Sequence, residues 1–212
     1  MLSDYQNKML ESELPFDVIM FSDEKQDAFK EQIGIMQEST QVEETLVYQV
    51  YENNSTAVRD YLYETLPYLE GKAAEEKTWD GSRPYFDWDT YLKLSDYNAL
   101  LAMLGEKPAV LEDGEYLIQT KERISPFLQD FPKENEIEVG GRKLSCRGIA
   151  TVPFAQSGEN GADYILVVPD DAVREMEAFY SLLAADLKGK VPEDLQMRLA
   201  DTQDYEDSQT GE

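Results

Sequence analysis

Carboxylates dominate the side chains here that could do chemistry. The chain carries 44 Asp and Glu against 19 Lys and Arg, no histidine and one cysteine. Without histidine, Ser-His-Asp and Cys-His nucleophile systems and the usual zinc sites are excluded. A single thiol, Cys146, permits no internal disulfide, no CxxC redox pair and no thiolate metal cluster. Lying in a strand-like run, it reads as a small core residue. The glycines are scattered or sit in turns, so no phosphate-cradling loop is present.

Carboxylate chemistry and oxygen-ligand metal binding remain. Asp87-Trp88-Asp89, beside Asp80 and Tyr85-Phe86, offers an acid pair on an aromatic floor, as a glycosidase-type hydrolase would use. Among so many acids, close pairs also arise by chance. Glu112-Asp113-Gly114-Glu115 puts hard oxygens near a glycine but lacks the spacing of a calcium loop, and a β-turn explains it more simply. The aromatic cluster of Trp79, Tyr85, Phe86, Trp88 and Tyr91 has two readings. It is the core face of a strand, or it is a contact surface for a cationic, partly apolar peptide. On the second reading the ligand-binding set is Trp79, Tyr85, Phe86, Asp87, Trp88 and Asp89. No catalytic residue, metal or cofactor is expected.

Three strand-to-helix junctions must position these groups. The first runs through Phe16–Phe21, then Ser22-Asp23-Glu24, into a helix with Phe29, Ile33 and Met36 inward. The second is Trp88–Leu94, then Ser95-Asp96, then Tyr97, Leu100, Leu101 and Leu104, stopped by Gly105. The third is Tyr164–Val168, Pro169-Asp170-Asp171, and a helix carrying Val173, Met176, Tyr180, Leu183 and Leu187. In each, Ser or Asp accepts from the first free amides of the helix, and apolar spacing of three and four turns one stripe inward.

Between these lie a strand over Glu44–Tyr51 and a helix from Asn53-Asn54-Ser55 to about Leu66, with Val58 and Leu62 inward. Glu70 to Asp87 reads as a surface loop. A strand over Glu115–Thr120 follows, then a hairpin of Glu136–Val139 and Arg142–Ala150 turning at Gly140-Gly141. Pro192 opens a last short helix, and Asp201–Glu212 reads as a frayed acidic tail. The fold class expected is α+β, mixed sheets with flanking amphipathic helices, with a lobe boundary near 70–80.

The net charge of −25 makes nucleic acid and anionic lipid poor partners and steers cations inward, although acidity also serves solubility alone. Two Trp, thirteen Tyr and eight Phe argue for a folded core. No apolar run approaches the ~18 residues of a membrane span, and Met1–Leu14 lacks the regions of a signal peptide.

Tyr91-Leu92-Lys93-Leu94-Ser95-Asp96-Tyr97-Asn98-Ala99-Leu100, on through Met103-Leu104-Gly105, resembles a segment of the large extracellular domains of FtsX-like ABC-transporter permeases. Gly114–Ile118, Tyr164–Ala172 and the opening Leu14–Ile19 resemble them too, and the bacitracin-export (Bce) type is the best match, from about Leu14 to Leu187. The resemblance implies an extracytoplasmic, non-enzymatic recognition and coupling domain at the cell membrane. Residues 1–14 would be a stalk from a membrane helix, 15–190 the domain, and 191–212 a short helix and tail leading back. The implied ligand is a cationic antimicrobial peptide or lipid-linked molecule, handled by export, target protection or sensing. A cytoplasmic ATPase subunit and a sensor histidine kinase would act through the full-length protein. A free-standing surface binding or scaffold protein, and a carboxylate hydrolase, are the alternatives.

Overall fold

The computed structural model describes residues 16–22, 27–62, 64–65, 88–122, 124–131, 135–152 and 164–209. In chain order its elements are β1 (Val18–Ser22), α1 (Asp27–Glu38), β2 (Val42–Glu52), α2 (57–62), β3 (Thr90–Lys93) and α3 (Leu94–Met103). Then come β4 (Glu115–Thr120), α4 (Ser125–Leu128), β5 (Glu136–Val139), β6 (Arg142–Ala150), β7 (Tyr164–Val168), β8 (Ala178–Leu187) and α5 (Glu193–Gln209). The fold is α+β, with mixed strand pairing and flanking helices. The loop expected over 70–87 and the stalk expected over 1–14 lie outside the described residues.

Two compact units divide the chain at Tyr48/Gln49 and Ala178/Phe179, the second being an insertion in the first. The boundary expected near 70–80 falls outside the described residues.

In the first unit, β8 lies between β1 and β2. Val18 to Ser22 pair antiparallel with Ala185 to Ser181. The Lys188 amide donates to the Gln41 carbonyl, joining the end of β8 to the start of β2, so these strands are antiparallel too. Phe29, Ile35 and Met36 of α1 pack with Leu183, Ala185 and Leu187 of β8 and with Leu195 of α5. Each fully buried apolar side chain of this kind contributes about 1.5–3 kcal/mol.

In the second unit the strand order is β2-β3-β7-β4-β6-β5. β3 runs parallel to β7 and β4 parallel to β6, while the other pairs are antiparallel. All five residues of β7 are buried, as a central strand covered on both faces requires. The β5–β6 hairpin turns at Gly140-Gly141, both at positive φ, and pairs Ile137 with Leu144 and Glu138 with Lys143. That register is the one a two-residue turn dictates. Gly105, at φ +71°, ends α3 as expected, and the Glu106 amide returns to the Leu101 carbonyl.

Two expectations are corrected. The helix expected after Pro169 is a 3₁₀ turn over Asp170–Val173 followed by β8. Ser181 to Ala185 are buried without alternation, and a continuous apolar run carries no period to separate strand from helix. The last helix also runs on to Gln209, where a frayed tail from Asp201 was expected.

Candidate functional site

Of the six residues expected at the ligand surface, Trp79, Tyr85, Phe86 and Asp87 lie outside the described residues. Trp88 is half-buried, and Asp89 is fully buried at the foot of β3.

The surroundings of Asp89 explain its burial. Its backbone amide donates to the Ser55 carbonyl at 2.7 Å. Its carboxylate accepts from the amides of Val58 and Arg59, each at 3.1 Å, and from the Tyr164 hydroxyl at 2.5 Å. Val58 and Arg59 open α2, so Asp89 caps this helix from 30 residues away, satisfying amides that α2 cannot satisfy itself. The Ser55 carbonyl, at the Asn53-Asn54-Ser55 turn expected to open α2, anchors the residue whose carboxylate caps it. Beside this, the Tyr91 hydroxyl donates to Asn53 Oδ1 at 2.7 Å.

The electrostatics follow from burial. Desolvation pushes the Asp89 carboxyl above its ordinary value, against the lowering pull of Tyr164 and the two amides. Burial lifts the Tyr91 hydroxyl to about 12 and raises Tyr164 well above its ordinary value. Neither phenol is a usable base near neutrality, and a carboxylate with no exposed surface meets no substrate. This cluster is a fastening of α2 to β3 and β7.

A second carboxylate acts in the same way. Asp170, just beyond β7, accepts from the Ser95 amide at 3.0 Å and caps α3. The local pair Ser95-Asp96 was expected in that role, but no side chain of the N-cap residue makes the bond. Sequence reasoning missed both long-range caps. The available signal was an acid flanking a buried strand.

Cys146 is half-buried beside Tyr116. Burial raises its thiol, so it is a weak nucleophile. The buried Tyr116 hydroxyl faces that thiol without reaching hydrogen-bond geometry. Glu112–Glu115 forms the turn read from sequence, with the Glu115 amide on the Glu112 carbonyl and Gly114 at φ +80°. Among the described residues no group of three or more His, Cys, Asp or Glu could hold a metal ion.

Open hollows occur along the α1–α5 seam of the first unit. One, of about 530 Å³, is lined by Glu38–Gln41, Asp194, Leu195 and Arg198. Its neighbour, of about 420 Å³, is lined by Glu31, Ile35, Arg198, Asp201 and Thr202.

No family model matches the chain, and no curated protein matches it in sequence. Among solved structures, a Bacillus anthracis protein described as a "putative lipoprotein" aligns at 10% identity, over 86% of this chain and 90% of that one, with a TM-score of 0.45. No helix among the described residues is long and apolar enough to cross a membrane.

Proposed function

We propose that this chain is a non-catalytic recognition and coupling domain on the extracytoplasmic side of an FtsX-like ABC permease of the bacitracin-export type. Its ligand is a cationic peptide or a lipid-linked molecule presented at the membrane surface. ATP hydrolysis and signalling to a histidine kinase belong to partners of the full-length protein.

The observation that carries this reading is the contact between Asp17 and Leu187. The Leu187 amide donates to the Asp17 carboxylate at 2.8 Å, across 170 positions of chain. The start of β1 and the end of β8 therefore lie side by side in the first unit. Packed membrane helices lie about 8–10 Å apart, and adjacent strand ends suit attachment to two such helices, with α5 intervening on the β8 side. The acidity supports the ligand class, because a charge of −25 draws cations over distances set by the salt concentration.

Calorimetric titration with a cationic peptide antibiotic, against a neutral peptide of the same length, tests the reading. Binding should appear for the cationic peptide and weaken steeply between about 0.05 and 0.5 M salt. No heat at any salt concentration overturns the recognition role. For the membrane attachment, the chain is fused between the two helices of a transmembrane hairpin. It should then melt within a few degrees of the free chain, and a collapse of the melting temperature counts against insertion between neighbouring spans.

A further inference from the structure

We infer that α5 is a strap that undocks from α1 while the rest of the first unit stays folded, and that the Gln32–Thr202 hydrogen bond is its latch. The inference rests on the seam alone and does not require the permease reading.

The seam is thin. Of the α5 side chains described, over residues 193–202, only Leu195 and Thr202 are buried; Met197 is 62% exposed. Leu199 adds a partly buried contact between them. Hollows lie on both sides of Arg198, whose ion pair with Glu38 is long, at 3.6 Å, and open to solvent. A seam with gaps forfeits dispersion contacts that a packed one would make.

Charge works against docking as well. The α5 sequence holds six acids and one arginine, and α1 holds three acids and one lysine. Two acidic helices side by side repel. Neither has a basic residue in its last turn to complement the helix dipole.

Among the described residues, one buried side-chain hydrogen bond between α1 and α5 stands against these. Gln32 Nε2 donates to Thr202 Oγ1 at 2.9 Å, and that hydroxyl donates to the Leu199 carbonyl at 2.6 Å. Gln32 is 5% exposed and Thr202 3%. A buried polar pair in an apolar stripe fixes register more than it adds affinity, since each group must find the other or go unsatisfied.

Direction gives the strap a consequence. Gln32 meets Thr202 and Glu38 meets Arg198, so α5 runs antiparallel to α1. It therefore folds back from Leu187 toward the end of the unit where α1 begins. Undocking uncovers the side of the core that holds Ile35, and it frees α5 from α1.

Hydrogen exchange read by mass spectrometry on the intact chain decides the matter. Amides of α5 should exchange on the order of a hundredfold faster than those of β8, and raising salt should slow α5 selectively by screening the repulsion. Thr202→Val, which strands the Gln32 amide, should speed α5 exchange roughly tenfold and leave β8 unchanged. Gln32→Leu with Thr202→Val should return α5 to the original rate or below it. If Thr202→Val does not yield folded protein, the pair Gln32→Cys and Thr202→Cys in a Cys146→Ser background replaces it. Oxidation should then bring α5 down to the rate of β8, reversed by reductant. Exchange of α5 and β8 at one common rate overturns the inference, as does equal acceleration of both by Thr202→Val.

Discussion

The carbonyl oxygen of Ala172 occupies the place where a Cβ on Gly140 would have to go. The tip of the β5–β6 hairpin is thereby pressed against the 3₁₀ turn that follows β7. Arg142 reinforces this contact by pairing with both Asp113 and Asp171.

Gly140→Ala should therefore cost about 2–4 kcal/mol, through overlap with backbone and through a positive φ that alanine resists. Gly141→Asn, one residue on, meets nothing within 4 Å and needs only a left-handed conformation that asparagine accepts. It should cost about 1 kcal/mol or less. Urea melts of the two variants check the contrast, and equal losses would refute the contact.

The hairpin register makes a second contrast. Ile137 is buried opposite Leu144, whereas Glu138 is exposed opposite Lys143. Ile137→Asp should lose about 3–5 kcal/mol, because it removes an apolar side chain and buries a charge. Glu138→Gln should stay within about 0.5 kcal/mol. Thermal unfolding reads both.

Asp89 ties pH to stability. Its carboxyl is raised in the folded chain, so its contribution is fully present below the ordinary aspartate value of 3.8 and is lost as pH rises through the raised one. Asp89→Asn keeps one acceptor but turns an amide group toward donors, and should cost about 1–3 kcal/mol. The gap between wild type and Asp89→Asn should be wider at pH 3.5 than at pH 7. A gap that widens toward neutrality would show that the hydrogen bonds outweigh desolvation.

Tyr164→Phe removes the hydroxyl that donates to Asp89 and should cost about 1–2 kcal/mol. Losing that donor lifts the Asp89 carboxyl further, so the fall in stability with pH should extend to higher pH than in wild type. A purely structural loss would lower the whole profile without moving it.

Asp170→Ala should cost about 0.5–2 kcal/mol by freeing the Ser95 amide at the start of α3. Ser95→Ala should cost less, although the local sequence nominates Ser95 as the cap. Chemical denaturation of the two variants ranks them.

These caps show how far the sequence could be read. The strands from β1 to β7, the helices α1 and α3 and the glycine-turned hairpin are local features, and their signals are local: apolar spacing, a helix-stopping Gly105, paired glycines. β8 reads as a helix in the sequence because what it meets is distant in the chain: β1 and β2 flank it in the sheet, and α1 with Leu195 covers Leu183, Ala185 and Leu187. Asp89 was assigned to a ligand surface because it follows Asp87 and Trp88. Its actual partners, the α2 amides and Tyr164, lie 30 and 75 positions away. The hydrophobic pattern says that a residue sits at a strand end, but not which helix start the tertiary fold brings there.

Inserting the second unit within the first sets an order of events during synthesis. The Asp17–Leu187 contact closes across 170 positions, so β1 must wait on the ribosome until Leu187 has emerged. The second unit, contiguous from Gln49 to Ala178, has all its strand partners earlier and can fold first. Nascent chains stalled when Ala178 has just cleared the ribosome should then protect β7 from protease while leaving β1 and α1 open to it. Of the two units, the first is begun earlier and finished later.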